Sequence, residues 1–216
     1  MTLKFCFREP IPEIFKAARM LSAAVDAHLR GRHDLASSWL VQANMPAIRD
    51  WTESIWGGTR RAPYAPKPSA ESLTLKPLAK DARAPKRMPL VAMKRALHER
   101  DGYHCRFCGT PVIRAEVRKG LVESYPQLDL WDDTNASQHA ALQAMCVNYD
   151  HILPHAYGGT NELSNLLVTC SPCNYAKMAY TLEQAGLADP FLRPPVKSSW
   201  DGLERLLKPE LASAEA

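Results

Sequence analysis

The sequence predicts an α+β protein with a small helical module, residues 1–56, and a larger cysteine-containing domain, residues 89–185. Two observations predict this division. Apolar residues recur at helical spacing near the N-terminus, and two Cys-x-x-Cys pairs lie in the second half of the chain. With 216 residues, 46% of them hydrophobic, the chain has an ordinary globular composition and room for one substantial domain plus an appendage.

The helical module is predicted from apolar stripes. Residues 11–30 form a first helix ended by Gly31, a second is expected from about Asp34, and a third runs from Pro46 to Gly57–Gly58. The apolar positions of the first and third helices are Ile14, Ala18, Leu21, Val25, Leu29, Ile48, Trp51 and Ile55. Such stripes usually pack inside a protein; docking onto a partner protein and direct contact with DNA are the alternatives.

Residues 57–88 are predicted to form a basic linker, because prolines interrupt the segment and large apolar residues are few. The formal net charge of the chain is +4, yet residues 57–100 hold eleven Lys and Arg against three acidic residues. Such a block attracts a phosphate backbone, although a soluble, extended spacer has the same composition. A basic helix over residues 90–100 carries Lys94 and Arg95 and leads to the first cysteine pair.

The chain lacks the features of a membrane or secreted protein. No apolar run reaches the roughly 20 residues needed to span a bilayer, and Arg8, Glu9 and Pro10 interrupt the only short apolar patch at the N-terminus. We therefore expect a soluble, cytoplasmic protein. In such a reducing compartment, paired cysteines indicate metal ligation rather than disulfides.

The two cysteine pairs predict a structural zinc site. Cys105 and Cys108 form one pair, Cys170 and Cys173 the other, and four thiolates complete a tetrahedral Zn²⁺ site with no open position. A closed site stabilises the fold and performs no chemistry. The pairs are separated by 61 residues, which is far more than in a compact zinc ribbon, so a sizeable insertion is expected at about residues 112–148.

Polar residues around the second pair resemble the HNH endonuclease family. The matching residues are Tyr149-Asp150-His151-Ile152-Leu153-Pro154, Gly158-Gly159, Asn165-Leu166-Leu167-Val168, Cys170-Ser171-Pro172-Cys173-Asn174 and Lys177. The resemblance is to the variant with Asn in the third position. It implies a ββα-metal fold: one strand delivers Asp150–His151, a loop holds Asn165, a second strand leads to the second cysteine pair, and a helix carries Asn174.

The residue types suit phosphodiester hydrolysis. His151 can take a proton from water near neutral pH, and is predicted to be the general base. The resemblance implies one catalytic divalent ion held by Asp150 and Asn174, whose oxygen donors favour Mg²⁺ or Mn²⁺. It also implies that Asn165 ties the loop that aims His151, so that all four positions count as catalytic.

Four further residues are candidates for nucleic-acid contact: Lys177, His155, Lys94 and Arg95. Lys177 follows Asn174 by one helical turn and is predicted to meet a phosphate oxygen. His155 is predicted to assist phosphate binding or leaving-group protonation, and a surface or packing role is the alternative.

The inserted segment is acidic in its second half and contains no Lys or Arg from residue 121 to residue 150. It would repel DNA, so packing against the core or gating of the cleft is expected, with a helix from Ser137 to Met145. Residues 186–216 form a C-terminal extension, in which Trp200 is expected to pack back on the domain.

The sequence thus predicts a metal-dependent DNA endonuclease that nicks one strand when it acts as a single module. RNA is an alternative substrate. One alternative function is the nuclease subunit of a larger assembly, such as a defence or mobile-element system, with the helical module docked on a partner. The other is a non-catalytic zinc module that binds nucleic acid.

Overall fold

The computed structural model describes residues 4–56, 62–69 and 75–208. Residues 57–61 and 70–74 of the predicted linker, with the Gly57–Gly58 helix end, lie outside the described residues, as do residues 1–3 and 209–216. Within the described ranges, no helix combines the length and apolar character that a membrane span requires.

The N-terminal part contains three helices: α1 (Pro12–Leu29), α2 (His33–Ala43) and α3 (Pro46–Trp56). Both α1 and α3 begin with a proline, which the first helical turn tolerates because its N–H has no intrahelical partner. Gly31, with φ of 71°, follows the end of α1. The predicted stripes of α1 and α3 face the interior, where Ile14, Leu21 and Ile48 are fully buried.

The rest of the chain contains five helices and one two-stranded sheet among the described residues. These elements are α4 (Val91–Asp101), α5 (Ala115–Ser124), α6 (Ala140–Ala144), β1 (Val147–His151), β2 (Leu166–Cys170), α7 (Ser171–Lys177) and α8 (Leu182–Ala185). Strands β1 and β2 are antiparallel, with Asp150 opposite Leu167 and His151 opposite Leu166. The order β1, β2, α7 is the ββα arrangement that the resemblance implied, and the expected α+β class is confirmed.

The N-terminal helices pack on the ββα unit rather than standing apart from it. His139 Nε2 lies 2.8 Å from the carbonyl oxygen of Leu40, and the side chain of Asn44 accepts a hydrogen bond from Ala140 N at 2.8 Å. The ring of Trp56 in α3 lies 4.5 Å from that of Tyr175 in α7. The apolar stripes that suggested a docking face are therefore buried within this chain, and a partner protein would have to bind other surfaces.

The insertion packs against the core, which is one of the two roles expected for it; the other was gating of the cleft. Its first half forms the unpredicted helix α5, and its second half forms α6, which is shorter than the predicted helix over residues 137–145. The shortening has a local cause: Ser137 N and its hydroxyl bond to Thr134, so residues 134–137 form a turn. The side chain of His139 then caps α6 by accepting from Leu142 N.

The described part of the C-terminal extension, residues 186–208, packs against the rest of the chain. Trp200 Nε1 donates to Val112 O at 3.0 Å, in line with the expected packing of this side chain. Arg193 donates to the carbonyl oxygens of Arg106 and Phe107, within the turn of the first cysteine pair. Arg205 forms an ion pair of 2.8 Å with Asp26 of α1. The extension therefore links the cysteine turn to the N-terminal helices.

Candidate metal centre and active site

The four predicted zinc ligands come together in the core. Cys105 and Cys108 lie in the turn after α4, Cys170 ends β2, and Cys173 lies in the first turn of α7. All four thiols are buried and free, and their sulfur atoms lie within 4.8 Å of one another. This cluster can hold a metal ion, and other described groups of His, Cys, Asp and Glu do not form a comparable one.

The spacing of the sulfurs fits a tetrahedral ion. With Zn–S bonds of about 2.3 Å, ligand sulfurs in a tetrahedron lie about 3.8 Å apart. Cys108 Sγ and Cys170 Sγ are separated by 3.7 Å, far beyond a disulfide bond. The turn holding the first pair is closed by Gly109 N donating to Cys105 O at 2.8 Å, and the φ of Gly109 is 80°. Glycine adopts this left-handed conformation without strain.

Asp150 and His151 lie at the end of β1 and line one cavity of about 1080 Å³ together with Asn174. Asn174 is half-buried on α7, which begins directly after β2. The structure thus brings three of the four predicted catalytic residues to one cavity. Asn165 does not line this cavity and lies in the loop between the strands.

Asp150 is almost completely buried beside a buried cation. Lys177 Nζ lies 3.2 Å from Asp150 Oδ2 and donates to the carbonyl oxygen of His151 at 2.6 Å. Desolvation raises the pKa of Asp150 from 3.8 to about 6, although the Lys177 ammonium lowers it. Despite this ion pair, Oδ2 makes no hydrogen bond of acceptable geometry. A buried carboxylate oxygen with spare lone pairs, in the cavity that Asn174 also lines, fits a hard divalent cation.

His151 has one nitrogen engaged and one open. Its Nε2 lies 2.9 Å from Oδ1 of Asn161, whereas Nδ1 has no hydrogen-bond partner among the described residues. Burial lowers the pKa of His151. The hydrogen bond with Asn161 raises this pKa by a smaller amount, and the nearby His155 lowers it further. The ring is therefore neutral at pH 7 and can accept a proton at Nδ1.

Asn165 braces the loop that follows His151. Its Oδ1 accepts from Leu153 N at 2.8 Å, and its Nδ2 donates to Leu153 O at 3.1 Å and to Thr160 O at 3.0 Å. Gly159 is required here, because a Cβ at this position would lie 1.8 Å from the Leu153 carbonyl oxygen. This geometry agrees with the loop-tying role that the resemblance implied for Asn165.

Of the predicted phosphate contacts, Lys177 is buried and His155 is partly engaged. Lys177 cannot meet a phosphate as predicted, because its side chain has no exposed surface and its ammonium is committed to Asp150 and His151. Helical spacing put it one turn beyond Asn174 but could not show that this face points inward. His155 is half-buried, and its Nε2 lies 2.7 Å from Ala84 O, so one ring nitrogen has a structural partner.

The basic helix α4 borders the cavity. Lys94 and Arg95 both line it, with Arg87 just before the helix. The ammonium of Lys94 lies 5.2 Å from the centre of the Tyr149 ring, which is a cation–π distance. These groups place positive charge along the cavity that Asp150, His151 and Asn174 also line.

Residues 141–187 match the family model described as HNH endonuclease. This segment is similar to an HNH endonuclease domain. The match begins within α6 and ends just after α8, so it includes both strands, the intervening loop and α7. The first cysteine pair lies outside the matched segment and is joined to it through the four-sulfur cluster. No curated protein and no solved structure matches the chain.

The sequence analysis missed one residue of the candidate site, Asn161, whose side chain contacts His151. It follows Gly158–Gly159 by two positions, so a polar residue directly after the glycine turn was the available signal. Many loops carry such a residue, and only the folded loop shows that its side chain reaches His151.

Proposed function

We propose that this protein is a metal-dependent DNA endonuclease in which His151 is the general base. One observation carries the proposal: the open Nδ1 of His151 lies on the same strand end as a buried carboxylate oxygen without a hydrogen-bond partner. Both residues line one cavity with Asn174. The HNH match supports nuclease chemistry for this arrangement.

Each residue has a distinct task in the proposed hydrolysis. His151 Nδ1 takes the proton of the attacking water as the new O–P bond forms and the bond to the 3′ oxygen breaks. Asp150 and Asn174 would hold one Mg²⁺ or Mn²⁺, which when bound supplies positive charge to the phosphate and the departing oxygen. Lys177 fixes Asp150 and the His151 carbonyl oxygen, and Asn165 fixes the loop beyond them.

We infer that the four-cysteine cluster holds structural Zn²⁺, which the sulfur spacing and complete burial support. Reduced, metal-bound cysteines also suit a cytoplasmic protein. Residues 89–185 are proposed as the nuclease unit. Residues 4–56 and 186–208 buttress it in this proposal through the contacts of α3 with α7 and of Arg205 with α1.

DNA is the proposed substrate. Lys94 and Arg95 line the cavity and are proposed to neutralise backbone phosphates. His155, in the loop that follows His151, is proposed to offer its second ring nitrogen to a phosphate. These contacts are to phosphate, so they carry no sequence preference. Binding should weaken as salt rises, and Lys94→Ala should reduce the salt slope by about one contact.

The test is conversion of supercoiled plasmid by the zinc-loaded chain in Mg²⁺, Mn²⁺ or EDTA. We expect nicked or linear product that requires the divalent ion and disappears in His151→Ala. The matched control is His33→Ala, which removes an exposed imidazole on α2 and should cut at the parent rate. Equal cutting by the His151 and His33 variants would disprove the assigned base.

The same assay separates the alternative functions. Nicked product alone indicates one active site acting on one strand, whereas linear product requires two cleavage events. A folded, zinc-loaded chain that binds DNA without cutting under any metal would support the binding-only function. Cutting that begins only when a second protein is added would support a nuclease subunit, and cleavage of RNA but not DNA would change the substrate class.

A further inference from the structure

A stretch of the predicted linker crosses the loop of the HNH site and is bound to it. Residues 76–89, here called the strap, lie between the undescribed part of the linker and α4. Leu78 N donates to Ala156 O at 2.8 Å, and a Cβ at Gly158 would lie only 3.2 Å from the Leu78 side chain. Further along, Ala84 O lies 2.7 Å from His155 Nε2. The strap thus follows the loop that leads away from His151.

Asn161 joins the strap to the proposed base. Its Nδ2 donates to Lys86 O at 2.7 Å and lies 3.4 Å from Met88 O. Its Oδ1 lies 2.9 Å from His151 Nε2. A single half-buried amide therefore bridges two backbone carbonyls of the strap and the imidazole ring.

The two strap carbonyls determine which way this amide points. A carbonyl oxygen accepts hydrogen bonds and cannot donate them, so the atom of Asn161 that faces Lys86 and Met88 has to be the NH₂ group. The oxygen is then the atom left for His151. Because an amide oxygen only accepts, the Nε2 atom of a neutral His151 has to carry the proton, and Nδ1 has to be the nitrogen with the lone pair.

We propose that Asn161 is a positioning residue for His151, held in orientation by the strap, and that it keeps the open Nδ1 in its basic form. This inference deepens the proposed nuclease function and rests on it for its catalytic consequence. Without Asn161 the neutral ring can move its proton to Nδ1, and Nδ1 could then not accept a proton from water. The strap also brings Arg87 to the cavity wall, so one segment serves both base orientation and positive charge.

Two substitutions at Asn161 separate its two contacts. Asn161→Ala removes both the acceptor for His151 and the donor to the strap. Asn161→Asp retains an acceptor for Nε2–H but cannot donate to the Lys86 and Met88 carbonyls. Asn135→Ala is the matched control, since Asn135 is exposed on the insertion, far along the chain from the loop. Zinc content and thermal unfolding confirm that each variant is folded before it is compared.

The decisive measurement is the imidazole tautomer, read from long-range ¹H–¹⁵N spectra of protein labelled with ¹⁵N-histidine. The His151 signals are those absent from His151→Gln. We expect the parent, Asn135→Ala and Asn161→Asp to show the proton on Nε2, and Asn161→Ala to show both tautomers. A proton on Nδ1 in the parent, or an unchanged tautomer in Asn161→Ala, would overturn the proposal. If Asn161→Ala does not fold, loss of the Nε2 proton in Asn161→Asp would overturn it.

Two further readouts test the strap and the catalytic consequence. Trypsin should cleave after Arg83 and Arg87 faster in both Asn161 variants than in Asn135→Ala, because the strap has lost an anchor; equal rates would refute the strap's role. For plasmid cleavage, Asn161→Ala should lower kcat by about tenfold to a hundredfold with unchanged DNA binding. The tautomer is measured without DNA, so absence of nuclease activity would refute the proposed function and leave the tautomer result standing.

Discussion

The ion pair between Lys177 and Asp150 provides a sharp test of the site, because both side chains are buried and only 3.2 Å separates Nζ from Oδ2. Lys177→Met removes the ammonium and retains an unbranched side chain of similar length. The Asp150 carboxyl then loses the cation that lowers its pKa, and the variant should keep this carboxyl neutral to higher pH than the parent.

The size of the effect follows from the pKa. In the parent, the rise from 3.8 to about 6 means that Asp150 already costs about 3 kcal/mol of folding stability at about pH 8, at about 1.4 kcal/mol per pKa unit. A variant in which the Asp150 carboxyl stayed neutral up to about pH 8 would lose about 6 kcal/mol of folding stability at that pH. The additional loss in Lys177→Met is therefore at most about 3 kcal/mol, at the lower end for breaking a buried ion pair.

The pH dependence distinguishes charge from packing. A raised folded-state pKa leaves stability intact below the unfolded value and removes it as pH rises through the folded value. At about pH 5 Asp150 is largely neutral in both proteins, so Lys177→Met should be at least as stable as the parent. At about pH 8 it should be less stable, by up to about 3 kcal/mol.

Urea unfolding of the zinc-loaded protein without Mg²⁺ measures this difference. Asp150→Asn and the double variant Lys177→Met/Asp150→Asn complete a mutant cycle, and the double variant should recover most of the loss at high pH. An equal loss for Lys177→Met at both pH values would refute the electrostatic reasoning and assign the effect to lost packing and to the hydrogen bond with His151 O.

Three further predictions concern the catalytic divalent ion, the zinc site and the loop held by Asn165. The cleavage rate should fall about tenfold per pH unit below about pH 6, because protons compete with the divalent ion for Asp150. A higher Mg²⁺ concentration should move this fall in rate to lower pH, and a fall that does not respond to Mg²⁺ would contradict Asp150 as a ligand. Cys173→Ser should lose tight zinc binding and cooperative unfolding, whereas Cys146→Ser, outside the cluster, should retain both by metal analysis and calorimetry. Asn165→Ala should lower kcat by at least about tenfold while Asn135→Ala does not, and equal plasmid-cleavage rates would argue against loop bracing.

Local patterns predicted much of the fold. The apolar stripes gave the positions of α1 and α3 to within a few residues, because helical periodicity and terminal Pro and Gly act over a few neighbouring positions. The two cysteine pairs were likewise predicted as metal ligands from their local spacing. The helix expected over residues 137–145 was too long, because Ser137 belongs to the turn that begins at Thr134 and the helix starts only after its N-cap, His139.

The candidate site was predicted unevenly. Asp150, His151 and Asn174 line one cavity, as their resemblance to an HNH motif implied. Lys177 was assigned to phosphate but is buried against Asp150, because periodicity shows which residues share a face and not what that face contacts.

What the sequence by itself determined is the chemistry that short stretches contain: four thiols in two close pairs, and an Asp–His dipeptide followed by a glycine turn, Asn165 and Asn174. What only the tertiary structure decided is how distant segments meet. The N-terminal helices cover the ββα unit, and the strap reaches His151 through Asn161. The physical reason is that ligand types and helical faces depend on neighbouring residues, whereas docking depends on the complementary shapes and hydrogen-bonding groups of surfaces that exist only after the elements have folded.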